Sequence, residues 1–119
     1  MAIPNIVSVS SIYGTTTVAV LTTTLTTTIV TAASDKVLKI NVIRCTNITD
    51  NDATVDFDVE VAGTHKKIAN EVTVPANSVV DITDKNSSFY LMETDLLRGG
   101  SSAATTIDVL ISYEILDDA

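Results

Sequence analysis

Three stretches of the chain alternate apolar and polar side chains. Val55-Asp56-Phe57-Asp58-Val59-Glu60-Val61 is the cleanest, and Ile107-Asp108-Val109-Leu110-Ile111-Ser112-Tyr113-Glu114-Ile115 is the longest. Val37-Leu38-Lys39-Ile40-Asn41-Val42-Ile43 is the one whose phase changes part-way. Side chains alternate faces along a strand, so this period marks strands with one face in a core and the other wet. The pattern predicts strands over 5–13 and 15–21, broken at Gly14, then over 26–32, 37–47, 54–62, 65–74, 79–83, 89–92 and 105–116. Within 37–47, Leu38, Ile40 and Val42 share a face, whereas Ile43 and Cys45 take the other, which predicts a bulge near Val42-Ile43. Within 54–62 the inward set is Val55, Phe57, Val59 and Val61. Ala62-Gly63-Thr64 makes a hairpin turn, and Ile68, Val72 and Val74 point inward on the return.

Short strands, turn signals about every 8–12 residues and no helical period predict an all-β fold of about eight or nine strands. The expected architecture is a single antiparallel β-sandwich over 1–119, jelly-roll or immunoglobulin-like. Residues 1–30 form a Thr-rich portion with nine threonines between Thr15 and Thr28. It reads as edge or outer strands of weakly defined register, suited to contacts between subunits. Arg98-Gly99-Gly100-Ser101-Ser102 reads as a mobile loop.

Composition narrows the function. The chain has 119 residues, enough for one core. Aromatic residues are 4% and tryptophan is absent, so that core is made of Val, Ile, Leu and Ala. A net charge of −8 with only seven scattered basic residues excludes binding of nucleic acid through its phosphates. No window resembles a membrane span. The first residues lack the basic and apolar regions of a signal peptide, so the chain is expected to stay in the cytoplasm until assembly.

Candidate chemistry is sparse. Asp50-Asn51-Asp52 could offer oxygens to calcium, but it lacks the spacing of a calcium loop and reads as a self-capped turn. Asp56, Asp58 and Glu60 line one strand face, where Lys66 and Lys67 would pair with them across the hairpin. Cys45 reads as a core residue, and His65, the single histidine, has no nucleophile motif to serve. Leu97-Arg98-Gly99-Gly100 resembles the tail of ubiquitin-like modifiers but is internal. Tyr90, Leu91, Leu96 and Leu97 form the densest apolar group near loops. They belong to the core or, where exposed together with Arg98, to a partner contact. No catalytic residue, cofactor or metal is expected.

Several phrases carry a family resemblance: Thr31-Ala32-Ala33-Ser34-Asp35-Lys36-Val37-Leu38-Lys39-Ile40, Cys45-Thr46-Asn47-Ile48-Thr49, Asp52-Ala53-Thr54-Val55, Val74-Pro75-Ala76-Asn77-Ser78, Phe89-Tyr90-Leu91-Met92-Glu93-Thr94-Asp95 and Val109-Leu110-Ile111-Ser112-Tyr113-Glu114-Ile115. From Thr28 onward their order resembles a group of small virion structural proteins of tailed bacteriophages, frequent among marine and cyanobacterial phages. Where that group tends to read tyrosine-leucine-glutamate-glutamate-glycine-aspartate, this chain has Met92 for the first glutamate and Thr94 for the glycine. The resemblance implies a non-enzymatic protein located in the virion. A capsid decoration (cement) protein bound to the major capsid protein is the leading expectation, as a homo-oligomer: a trimer on symmetry axes or a dimer across capsomer seams. A neck, collar, tail or baseplate accessory stays open. So does a receptor- or glycan-binding module with its site in loops near Asp50, Arg98 and Gly100.

Overall fold

A computed structural model describes residues 11–23, 25 and 27–117; the expected strand over 5–13 falls largely outside them. Among the described residues nine strands follow one another: β1 (Ser11–Val20), β2 (Thr27–Thr31), β3 (Lys36–Asn47), β4 (Ala53–Val61), β5 (Thr64–Val74), β6 (Val79–Thr83), β7 (Phe89–Leu91), β8 (Leu96–Ser101) and β9 (Ile107–Asp117). The helical content of the described residues is one 3₁₀ turn, Lys85–Ser87. One sheet runs β1-β9-β3-β6, with β7 also on β3, and the other runs β2-β8-β4-β5.

The strand order decides between the two expected architectures. β4 pairs with β5, β3 with β6 and β7, β2 with β8, and β1 with β9, all antiparallel. Each strand thus meets its counterpart across one long hairpin whose tip is Ala62-Gly63. Rolling that hairpin up joins β9 to β3 and β8 to β4. This is a jelly roll. In an immunoglobulin sandwich the first two strands share a sheet, whereas here β1 and β2 lie in opposite sheets. At the tip, Ala62 and Gly63 have φ of 52° and 81°, the left-handed pair that matches strand twist in a two-residue turn.

The core lies between the sheets and centres on Phe57, Ile40, Ile43, Leu91, Leu97 and Ile111, all fully buried. The predicted bulge is present: the β3–β9 register shifts between Ile40 and Val42. Leu38 and Ile40 face inward before it, and Ile43 and Cys45 after it, which turns Val42 outward. Three expectations are corrected. Gly14 breaks nothing, because β1 pairs with β9 residue by residue from Ser11 to Val20. On β5, register shifts between Val55/Phe57 and Phe57/Asp58 put Ala69 in the core and leave Ile68 40% exposed. Val61 also leaves the core, 48% exposed at the hairpin tip.

The largest correction concerns 98–102. It is not a mobile loop: Leu96–Ser101 is strand β8, paired on both sides. Gly99 sits opposite Phe57, and a Cβ there would lie 2.7 Å from Phe57 Cε1 and 2.9 Å from Ile29 Cδ1. The glycine makes room for the ring rather than marking a turn. Gly99→Ala is therefore expected to destabilise the protein by about 1–3 kcal/mol through overpacking, read as a lower urea midpoint at unchanged slope.

The turn after β7 carries a different strain. Asp95 accepts from the Met92 and Ala62 backbone N–H groups at 3.1 and 3.4 Å, and Glu93 accepts from that of Asp35. These carboxylates tie the turn to the hairpin tip and to the β2–β3 connection. Thr94 is held between them at φ 72°, a region that a β-branched residue avoids. Thr94→Gly is expected to raise stability by up to about 1 kcal/mol, against the usual loss on introducing glycine; equilibrium unfolding measures it.

Candidate functional site

The outer faces of the two sheets differ in kind. On the β4–β8 sheet, Asp58 is buried at 3% exposure and is held by Arg98, whose Nε donates to Oδ1 at 2.8 Å. His65 Nε2 lies 2.7 Å from Glu60 Oε1, its Nδ1 3.8 Å from Asp58, and Lys67 lies 3.8 Å from Asp56. The acidic strand face is thus paired, as its alternation suggested, although Arg98 and His65 take two of the carboxylates and Lys67 the third. The hydrogen bond that Arg98 donates to Asp58, and then the charge of that carboxylate, raise the guanidinium pKa above its ordinary value against the opposing effect of burial.

The outer face of the β1–β9–β3–β6 sheet sets exposed apolar side chains among its charges. Two rows cross all four strands. Val18, Leu110, Arg44 and Asp81 form one; Val20, Asp108, Thr46 and Val79 form the next. Between them lies a shallow hollow of about 490 Å³. Val18 is 71% exposed and Val79 54%. A third row, Gly14, Glu114, Lys39 and Tyr90, reaches β7. The charges on this face are largely offset. Arg44 meets Asp81 bidentately at 2.8 and 3.2 Å, and Lys39 lies 4.0 Å from Glu114.

The exposed apolar side chains of β1 result from an inversion. Thr15, Thr17 and Ala19 point toward the core, and Thr17 Oγ1 lies 2.9 Å from the Tyr113 hydroxyl. Ile12, Val18 and Val20 therefore point out. Alternation in 15–21 located the strand but gave no means of choosing its buried face. That choice follows from the register with β9, where Thr17 faces Ile111 and Ala19 faces Val109.

The residues expected at a partner contact separate. Leu91 and Leu97 are fully buried core residues. Tyr90, 44% exposed, stands on the outer face just described, whereas Leu96 and Arg98 belong to the opposite sheet. A loop site near Asp50, Arg98 and Gly100 is not assembled, since the last two are strand residues. Asp50 accepts from Asn77 Nδ2 and Asp52 from the Ala76 N–H, both at 2.9 Å, which latches two turns together. Buried Asn47 completes the latch, donating to the Asn51 and Val74 carbonyls at 2.8 and 3.0 Å. Among the described residues no group of three His, Cys, Asp or Glu side chains could hold a metal ion. Cys45 lies in the core, where burial pushes its thiol up to about 12. No helix of the described residues is long and apolar enough to cross a membrane.

The Arg44–Asp81 pair makes this face pH-sensitive. The hydrogen bond from Arg44, and then its charge, hold the Asp81 carboxyl below its ordinary value. A carboxyl lowered on folding stabilises the fold fully above its unfolded pKa of about 3.9, and loses that contribution as pH falls through the lowered value. The pair is exposed, so its contribution is small and screened by salt. The unfolding midpoints of the native chain and Asp81→Asn are therefore expected to differ slightly at neutral pH and to converge in acid or high salt. No family model and no curated protein matches the chain.

Proposed function

We propose that this chain is a non-enzymatic structural protein of a tailed-phage virion, most simply a decoration subunit that packs against the major capsid protein through the outer face of the five-stranded sheet. The observation that carries the reading is that exposed face, with Val18, Val20, Leu110, Val79 and Tyr90 set among charges that largely cancel. An apolar patch with paired charges at its margin costs little to desolvate and suits a lasting protein contact. Thr94 adds support: its left-handed backbone is where the similar phage phrase places glycine. The jelly roll itself decides nothing, since the same topology serves shells, lectins and enzymes.

Quantitative mass spectrometry of purified virions tests the proposal. Hundreds of copies, in fixed ratio to the major capsid protein, are expected. A few to a few dozen would place the chain in the neck, tail or baseplate and end the decoration reading, and absence from particles would end the structural one. Val79→Asp, on the exposed face but far from β1, is expected to abolish particle binding without unfolding the protein.

A further inference from the structure

The two flanks of the sandwich are built differently. On one, edge strand β5 carries His65, Lys66, Lys67 and Glu71, and edge strand β6 carries Asp81. Charged side chains and bulges protect an edge against further pairing, and β5 has both. On the other flank, β1 and β2, the edge strands among the described residues, contain no Asp, Glu, Lys or Arg. β2 is five residues long, with a register shift between Thr28 and Val30. β1 is ten residues long and pairs with β9 without a shift. It is a long, regular, uncharged edge, the kind that folded proteins usually guard.

From this geometry we infer that β1 is a dimerisation edge: it pairs antiparallel with β1 of a second copy about a twofold axis at Thr16. The inference stands apart from the virion reading, because it concerns the chain alone in solution. Three observations select a second copy as the occupant. Each chain carries a net charge of −8, so like copies repel except where ionised side chains are absent, and β1 offers such a surface. A regular antiparallel edge is self-complementary, so the same strand serves both partners and the pairing closes after two copies.

The side chains also fit one register. Any twofold axis through a residue matches outer face to outer face, whereas an axis between residues would set exposed valines beside core threonines. With Thr16 on the axis, Ile12 faces Val20 of the second copy, Gly14 faces its Val18 and Thr16 faces Thr16. Every outward apolar side chain of β1 then meets a partner, and the large Val18 meets the glycine. Centring on Thr15 sets Val20 opposite position 10, outside the described residues, and centring on Thr17 sets Ile12 opposite Thr22, beyond the end of β1. Gly14, where a Cβ would meet only the Tyr113 carbonyl oxygen at 4.0 Å, gains a reason. The paired segment, residues 12–20 of each copy, spans about 30 Å at ~3.3 Å per residue. They join two five-stranded sheets into one continuous sheet, with a hollow on either side of the axis.

Sedimentation equilibrium of the full chain tests this. The native protein is expected to be a dimer. Thr16→Lys sets two ammonium groups against each other at the axis and is expected to weaken the dimer roughly 100-fold or more, with little change in unfolding temperature. Thr16→Cys is expected to form an intermolecular disulfide with oxidised glutathione, since only a residue on the axis meets its own copy. Cys45, buried and protonated, does not compete. A monomer, a trimer, a dimer that Thr16→Lys leaves intact, or a dimeric Thr16→Cys protein that fails to cross-link would each overturn the inference. Val79→Asp lies outside this contact and leaves the dimer intact, so loss of particle binding and loss of dimerisation are separable.

Discussion

A strand offers two faces, and one extra residue exchanges them; the placement of bulges therefore decides what this sandwich buries. On β3, the irregularity at Asn41 lets one strand contribute Leu38 and Ile40 before it and Ile43 and Cys45 after it. Without that phase change, half of the strand would turn its apolar side chains to water. On β5, two shifts exchange Ile68 for Ala69 in the core, opposite Phe57. The ring of Phe57 already fills the space between the sheets there, and Gly99 gives way on the neighbouring strand. A larger inward residue on β5 would compete for the same volume.

The legible parts of the sequence were those where pattern and packing agree. Val55 and Phe57 alternate with acids and are buried as expected. The β3 bulge was visible because the apolar phase changes within one run. Three features were not legible, each for a physical reason. Arg98-Gly99-Gly100 has the composition of a loop, and only the Phe57 ring explains glycine inside a central strand. β5 mixes apolar and charged residues, so local periodicity cannot place its two shifts. The jelly-roll order depends on long-range pairing, which leaves no mark in any short window; the hairpin tip at Ala62-Gly63 was readable, but not that every other strand folds about it.

The candidate site shows the same limit more sharply. The expected contact residues were grouped by closeness in sequence, from Tyr90 to Arg98. The chain changes sheets between β7 and β8, so Tyr90 and Arg98 end on opposite faces of the molecule. The surface that emerges is assembled across the sheet instead, from β1, β9, β3 and β6, residues that no sequence window brings together. In the Thr-rich opening, Thr15 and Thr17 turn toward the core while Thr16, Val18 and Val20 are exposed, a division that composition alone does not reveal.

That inversion bears on why the edge is shaped as it is. Threonine is β-branched and holds an extended backbone as well as valine does, but its hydroxyl needs a partner when buried. Thr17 finds one in Tyr113. The strand can then be anchored through threonines on its inner face while its valines remain outside, which would make little sense for a free surface in water. Charges follow the same division: on the β4–β8 sheet, the β5–β6 flank and strands β3 and β9 they are largely paired with one another, and they are missing from β1 and β2. An acidic chain keeps its copies apart almost everywhere by like charge. Leaving one long strand neutral confines contact between copies to that strand, so the charge distribution restricts association as well as permitting it.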